Sequence, residues 1–193
     1  MHTRWLATHW VTGAGFMAGG FLAMAPLLLL VLPAAIFLIF LHAPGYMIHQ
    51  VEEHAGDRFR TFVNDRMFGG LDVLRSVDIL VINLPLVWGL NAAALYVAFI
   101  WGEGFGLAAP YAMLVNAFAH VGASVKFKGY NPGLATSILV FVPLSVVTIW
   151  VIGALPSVDL MHHAIGVVIA LLVHILIVVH SASRHAALKV APC

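Results

Sequence analysis

FLAMAPLLLLVLPAAIFLIFL, residues 21–41, contains no charged side chain, and Pro26 and Pro33 are its only helix-interrupting residues. A helix needs roughly 20 apolar residues to cross the hydrocarbon of a bilayer. The stretch therefore reads as one membrane span, beginning as early as Gly13, with the prolines as kinks that membrane helices tolerate. The rest of the chain agrees with that solvent. It has 193 residues, 62% hydrophobic and 9% charged, with a mean hydropathy of +1.02. A soluble domain is about 25% charged, and a chain this short could not bury so much apolar surface in a core of its own. The net charge of +1 gives no case for nucleic acid as a partner. The single Cys193 excludes an intrachain disulfide and a Cys-based zinc cluster.

Four further apolar stretches, residues 79–101, 107–124, 134–155 and 160–179, read as spans. No strand pattern, repeat or second domain is visible. The expected fold is an all-α integral membrane bundle, one polytopic domain over residues 1–193, with about five transmembrane helices. His9 and Thr12 interrupt the N-terminal apolar region and argue against a signal peptide. Arg58, Arg60, Arg66 and Arg75 follow the first span, Lys126 and Lys128 follow the third, and Arg184 and Lys189 lie in the tail. The links GEGFG (102–106) and PSVD (156–159) carry no Lys or Arg. By the positive-inside rule the N-terminus is then outside and the C-terminus inside, with Arg4 alone dissenting.

On that frame, polar residues gather in one leaflet. HQVEEH, His49 to His54, holds two of the 8 acidic residues in the chain. If Pro44 and Gly45 end the first span, a short interfacial helix over about 47–62 carries His49, Glu52 and Glu53 at i, i+3 and i+4, on one face. One imidazole and two carboxylates there suit a divalent metal such as zinc, iron or manganese. A carboxylate outside the coordination sphere could act as a general base. The spacing is H-x-x-E-E-H, not the H-x-x-E-H of inverted zinc proteases, so His54 is expected to point away or to cap the local network. Asn116 and His120 share a face of the third span, and His174 and His180 lie toward the inner end of the last. Asn83 and Asn91 are read as helix glue with Asn83 near the cluster, His162 and His163 as interfacial, and the tryptophans as mostly lipid-facing. Tyr130-Asn131-Pro132-Gly133 is a turn, in which glycine accepts positive φ.

His49, Glu52 and Glu53 spell H-x-x-E-E. With Asn116, His120 and the Tyr-Asn-Pro-Gly that follows, the chain resembles, from about Phe16 to His180, the HXXEE family of bacterial membrane proteins. The resemblance implies that these residues act together and leaves their activity open. It also implies a bacterial cytoplasmic membrane. The expected function is a membrane-embedded, metal-dependent enzyme acting on a lipid or another hydrophobic small molecule. His49, Glu52, Glu53 and His120, with His174, would hold zinc or iron. Glu52, Glu53 and Tyr130 would move protons, and Asn83, Asn116 and Asn131 would hold the substrate. Two alternatives stand. The first is a b-type haem cytochrome using His9, His162 or His163 with His174. The second is a transporter or proton relay, for which a homo-oligomer could form a pore.

Overall fold

The computed structural model describes residues 2–190; Met1 and residues 191–193, including Cys193, lie outside the described residues, as do the side chains of residues 2–4, Arg4 among them, and of Leu6. The elements are α1 (His2–Val31), α2 (Ala34–His54), α3 (Arg58–Phe62), α4 (Ser76–Trp101), α5 (Glu103–Phe127), α6 (Leu134–Gly153) and α7 (Leu160–Val190). No strand occurs among the described residues. Among the described residues six helical segments are long and apolar enough to cross a membrane; the second runs through α2 and α3 to Met67 across a left-handed break at Gly56 and Asp57. The protein is thus an integral membrane helical bundle, with six such segments where the sequence predicts about five spans.

The difference lies in residues 21–41. Pro33 does not kink a helix there; it ends one. Its φ of −55° and ψ of 144° are extended, and the residue before a proline is pushed out of the helical region. The chain reverses at Leu32 and Pro33, so one expected span is the junction of two. Each half is completed by residues that hydropathy undervalues. Upstream, α1 packs Ala14 and Ala18 against Met47 of α2, the small-residue packing typical of membrane helices. Downstream, α2 continues through the buried Pro44 and Gly45, and its polar residues His42, His49 and Gln50 turn into the bundle rather than to lipid. The short interfacial helix exists as α3, but the H-x-x-E-E motif precedes it, on the last turns of α2. If each segment crosses once, both ends of the chain share one face. Six segments identified by length and composition do not support the expected arrangement, N-terminus outside with C-terminus inside.

Helix α2 is the centre of the bundle, touching α1, α4, α5 and α6, while α7 packs along α5. Gly166 allows that last contact: a β-carbon there would come within 2.8 Å of Tyr111 and 3.0 Å of the Leu107 backbone. An apolar core of Ala35, Ile36, Ile39, Ala94, Ala98, Leu107, Ala109 and Ile152 fills the half remote from the motif. A second core of Tyr46, Met113, Ala117 and Phe141 lies nearer the motif. Trp5, Trp101 and Trp150 are exposed as expected for lipid-facing residues, but Trp10 is buried, and Trp88 donates its indole N–H to Gln50 Oε1 at 2.8 Å.

Candidate functional site

The last turns of α2 set His49 and Glu53 four residues apart, hence on one face, opposite His120 of α5. All three are buried. Glu53 Oε2 lies 3.5 Å from His49 Nε2, and Glu53 Oε1 lies 3.4 Å from His120 Nε2. Both separations exceed ordinary N–H···O lengths. The three residues can each offer one ligand atom, all within 4.8 Å of one another.

The surroundings fix which ring nitrogen of each histidine is free. Asn131 donates its amide N–H to the His120 backbone oxygen at 2.8 Å, so its Oδ1 faces the ring and accepts from His120 Nδ1, also at 2.8 Å. Thr136 donates its hydroxyl hydrogen to Glu52 Oε2, so its oxygen accepts from His49 Nδ1 at 2.8 Å. The network thereby places a proton on Nδ1 of both rings, and both Nε2 atoms face Glu53. His49 Nε2 is buried and makes no hydrogen bond.

Glu52 has a different task from Glu53. Its carboxylate accepts from the Ala135 and Thr136 backbone N–H groups at 3.1 and 2.7 Å, from the Thr136 hydroxyl, and from Tyr130 Oη at 2.7 Å. The first N–H groups of a helix have no partner within it, and an anion there is stabilised. Glu52 thus closes the start of α6 and aims Thr136 at His49. Tyr130, outside the spans, is held protonated by partial burial and by its bond to Glu52, which both raise its pKa.

The loop from Lys128 to Gly133 brings α6 up to the rings. Gly133 has φ of +97°. A β-carbon at this position would meet His120 Cε1 at 2.6 Å and His49 Cε1 at 2.7 Å. The glycine of the Tyr-Asn-Pro-Gly turn therefore serves both positive φ and close backing of the two imidazoles.

A cavity of about 100 Å³ opens beside Glu53, lined in part by His49, His54, Asn83, Asn116, Ile82 and His174. Asn116 Oδ1 is buried with no hydrogen bond. Asn83 is already engaged: it accepts from Gln50 Nε2 at 2.9 Å and donates to Ile79 O at 2.9 Å. His54, expected to point away or to cap the local network, does the second: it is buried with Nε2 2.9 Å from Glu53 Oε2, and Trp10 and Phe59 flank its ring.

The sequence-predicted set is therefore divided. His49, Glu53 and His120 come together. Glu52 and Tyr130 pair with each other at the start of α6, Asn131 is spent on His120, and Asn83 on its neighbours. His174 lines the cavity but bonds its own helix at Ala170 O, 2.8 Å away, and it is not in the ligand group. Sequence reasoning missed Thr136 and Gln50, which carry no motif, and left His54 out of the site because of its five-residue spacing from His49. His162 and His163 lie at the other end, bonded to Asp159 and Tyr111.

A helical membrane bundle built around a buried His–Glu–His group, steadied by second hydrogen bonds on both rings, is the class that fold and site define. Residues 40–148 match the model of the family described as proteins of unknown function with an HXXEE motif, and the chain belongs to that family. No curated protein and no solved structure matches it. The matched segment includes His49, Glu52, Glu53, Asn116, His120 and Tyr130 to Thr136, and leaves out His174.

Proposed function

We propose that His49, Glu53 and His120 hold one divalent metal ion, zinc or iron, and that the protein is a membrane-embedded enzyme acting on a lipid or another hydrophobic small molecule. One observation carries the reading: two imidazole lone pairs and a carboxylate converge in a buried site, with both Nδ1–H groups already committed. Three electron-rich groups facing one another at low dielectric repel, and a cation between them reverses the sign. Tetrahedral coordination at about 2.0–2.1 Å sets ligand atoms about 3.3 Å apart; the two imidazoles lie 3.5 and 3.4 Å from different oxygens of Glu53, and one ligand atom from each residue falls within 4.8 Å of the others. The outer hydrogen bonds, His49 to Thr136 and His120 to Asn131, are of the kind that orients metal-bound histidines.

Two histidines and one carboxylate leave a coordination position for substrate or water, and the ion would supply Lewis acidity there. The chain's own groups do the rest. His54, against Glu53 Oε2 and beside a polar vestibule lined in part by Thr8, Trp10 and Ser76, passes protons between site and solvent. Asn116 Oδ1 accepts a hydrogen bond from the polar part of the substrate. The haem alternative finds less support: His9 is exposed, His162 and His163 lie at the far end, and a cavity of about 100 Å³ at His174 is small beside the 300–1,000 Å³ of ordinary cofactor sites.

For topology we infer a bacterial cytoplasmic membrane with both ends of the chain inside. With six crossings, all nine Lys and Arg, including Arg4, fall on the side of the site, which the positive-inside rule makes cytoplasmic.

The test is turnover in proteoliposomes of bacterial lipid, followed by mass spectrometry with and without a chelator. A product that needs the metal supports the reading. A product indifferent to chelation makes His120 and Glu53 an acid–base pair instead. Thr136→Val and Asn131→Ala should each lower metal affinity by about 10–100-fold, the usual effect of losing such an outer partner, measured by competition with a chelating dye. Unchanged affinity would contradict the assigned network.

A further inference from the structure

Helices α4 and α7 hardly touch, yet both line the cavity beside Glu53, through Ile82 and Asn83 on one side and Val173, His174 and Ile177 on the other. Outside it, between the same helices, runs a second, mostly apolar groove of about 310 Å³. Among the described residues, Ile82 and Ile177 alone line both spaces. The groove's outer residues Val81 and Leu176 are 56% and 63% exposed, which for a membrane helix means they face lipid. Among the described residues the polar ties between the two helices lie at the site end: His180 Nε2 is 3.2 Å from Asp78 Oδ1, which Arg75 Nη2 also holds at 2.9 Å, and Arg184 Nε is 3.9 Å from Asp78 Oδ2 while donating to Val73 O, in the loop before α4, at 2.7 Å. Below that tie Ile82 and Ile177 stand where the two spaces adjoin.

We propose that this seam is a lateral portal through which a bilayer lipid reaches the site directly from its own leaflet, with Ile82 and Ile177 as the gate. The inference rests on the reading of the site as one that acts on a hydrophobic molecule, and it narrows the substrate. A cavity of about 100 Å³ holds only a few heavy atoms, since one of about 150 Å³ is filled by benzene. A whole chain does not fit. The substrate is therefore a membrane lipid whose head–chain junction enters past the gate while its chain stays in the groove and the bilayer. The wide helical turn at Ile82–Trp88, which contains Pro85, sets Ile82 in a stretch of helix short of regular hydrogen bonds, and such turns recur at functional sites.

The probe is phosphatidylethanolamine carrying a diazirine near the carboxyl end of one acyl chain, in proteoliposomes, with label mapped by peptide mass spectrometry. The wild type should be labelled on Leu90 or Val173, which line the inner cavity, and on Leu139, a lipid-facing residue of α6. Ile177→Trp should lose the inner label and keep that on Leu139. Ile82→Ala should gain inner label, and it decides the matter alone if the tryptophan variant does not fold. Absence of inner label in the wild type, or inner label unmoved by both substitutions, overturns the portal. Metal content measured on the same samples separates the two claims: inner label without metal leaves the portal standing and removes the metal, and metal without inner label does the reverse.

Discussion

Glu53→Gln is expected to give a folded protein that no longer binds metal. Glutamine keeps the volume and still accepts from His54, and its amide can donate to one of the free Nε2 lone pairs. The bundle therefore keeps its packing, and the apoprotein should melt no lower than the wild type. Metal is another matter. A ligand that binds only the folded state stabilises it by RT ln(1 + [L]/Kd), about 2.7 kcal/mol at a hundred times Kd. Zinc or ferrous iron should raise the wild-type melting temperature in detergent and leave Glu53→Gln unmoved. If the glutamine protein unfolds while added metal does nothing to the wild type, Glu53 is the counter-ion of a protonated histidine and the metal reading fails.

The second large effect is at Gly133. Gly133→Val forces a β-branched residue to φ of +97° and drives a β-carbon against both imidazoles. Strain of this kind costs about 1–3 kcal/mol and overpacking about as much again, a large part of the 5–15 kcal/mol that holds a typical protein folded. The rings are the softest neighbours, so they move first, and metal affinity should fall before the helices melt. Gly129→Ala is the control. It lies in the same loop, without positive φ and with nothing nearer its β-carbon than Phe127 O at 3.9 Å, and should behave as wild type. Equal behaviour of the two variants would show that Gly133 does not back the site.

The sequence made the membrane, the helices and the core of the site legible for physical reasons. Composition alone demands lipid. His49 and Glu53 stand one turn apart on any helix, so their common face did not depend on where that helix begins. His120 could be named because an ionisable group inside a span is costly in lipid and needs a reason to be there. The helix count was not legible, because hydropathy scores a residue without knowing which way it faces. His42, His49 and Gln50 look like the end of a span when they are its interior lining. Pro33 and Pro44 look alike on paper, yet one ends a helix and the other lies within one; the bundle around α2 decides between them. The division of labour between Glu52 and Glu53 was also hidden. It depends on the start of α6, more than eighty residues away in sequence, and on Thr136, which belongs to no motif.

The central claim is that the motif builds a metal site from Glu53, not from both glutamates. It is tested most directly by metal content of the detergent-purified protein, measured by plasma mass spectrometry for wild type, Glu53→Gln and Glu52→Gln side by side. The account predicts one zinc or iron per wild-type chain, none in Glu53→Gln, and a reduced but measurable amount in Glu52→Gln, whose loss disturbs only the aim of Thr136 and His49. Metal-free wild type, or metal lost from Glu52→Gln and kept in Glu53→Gln, would contradict it.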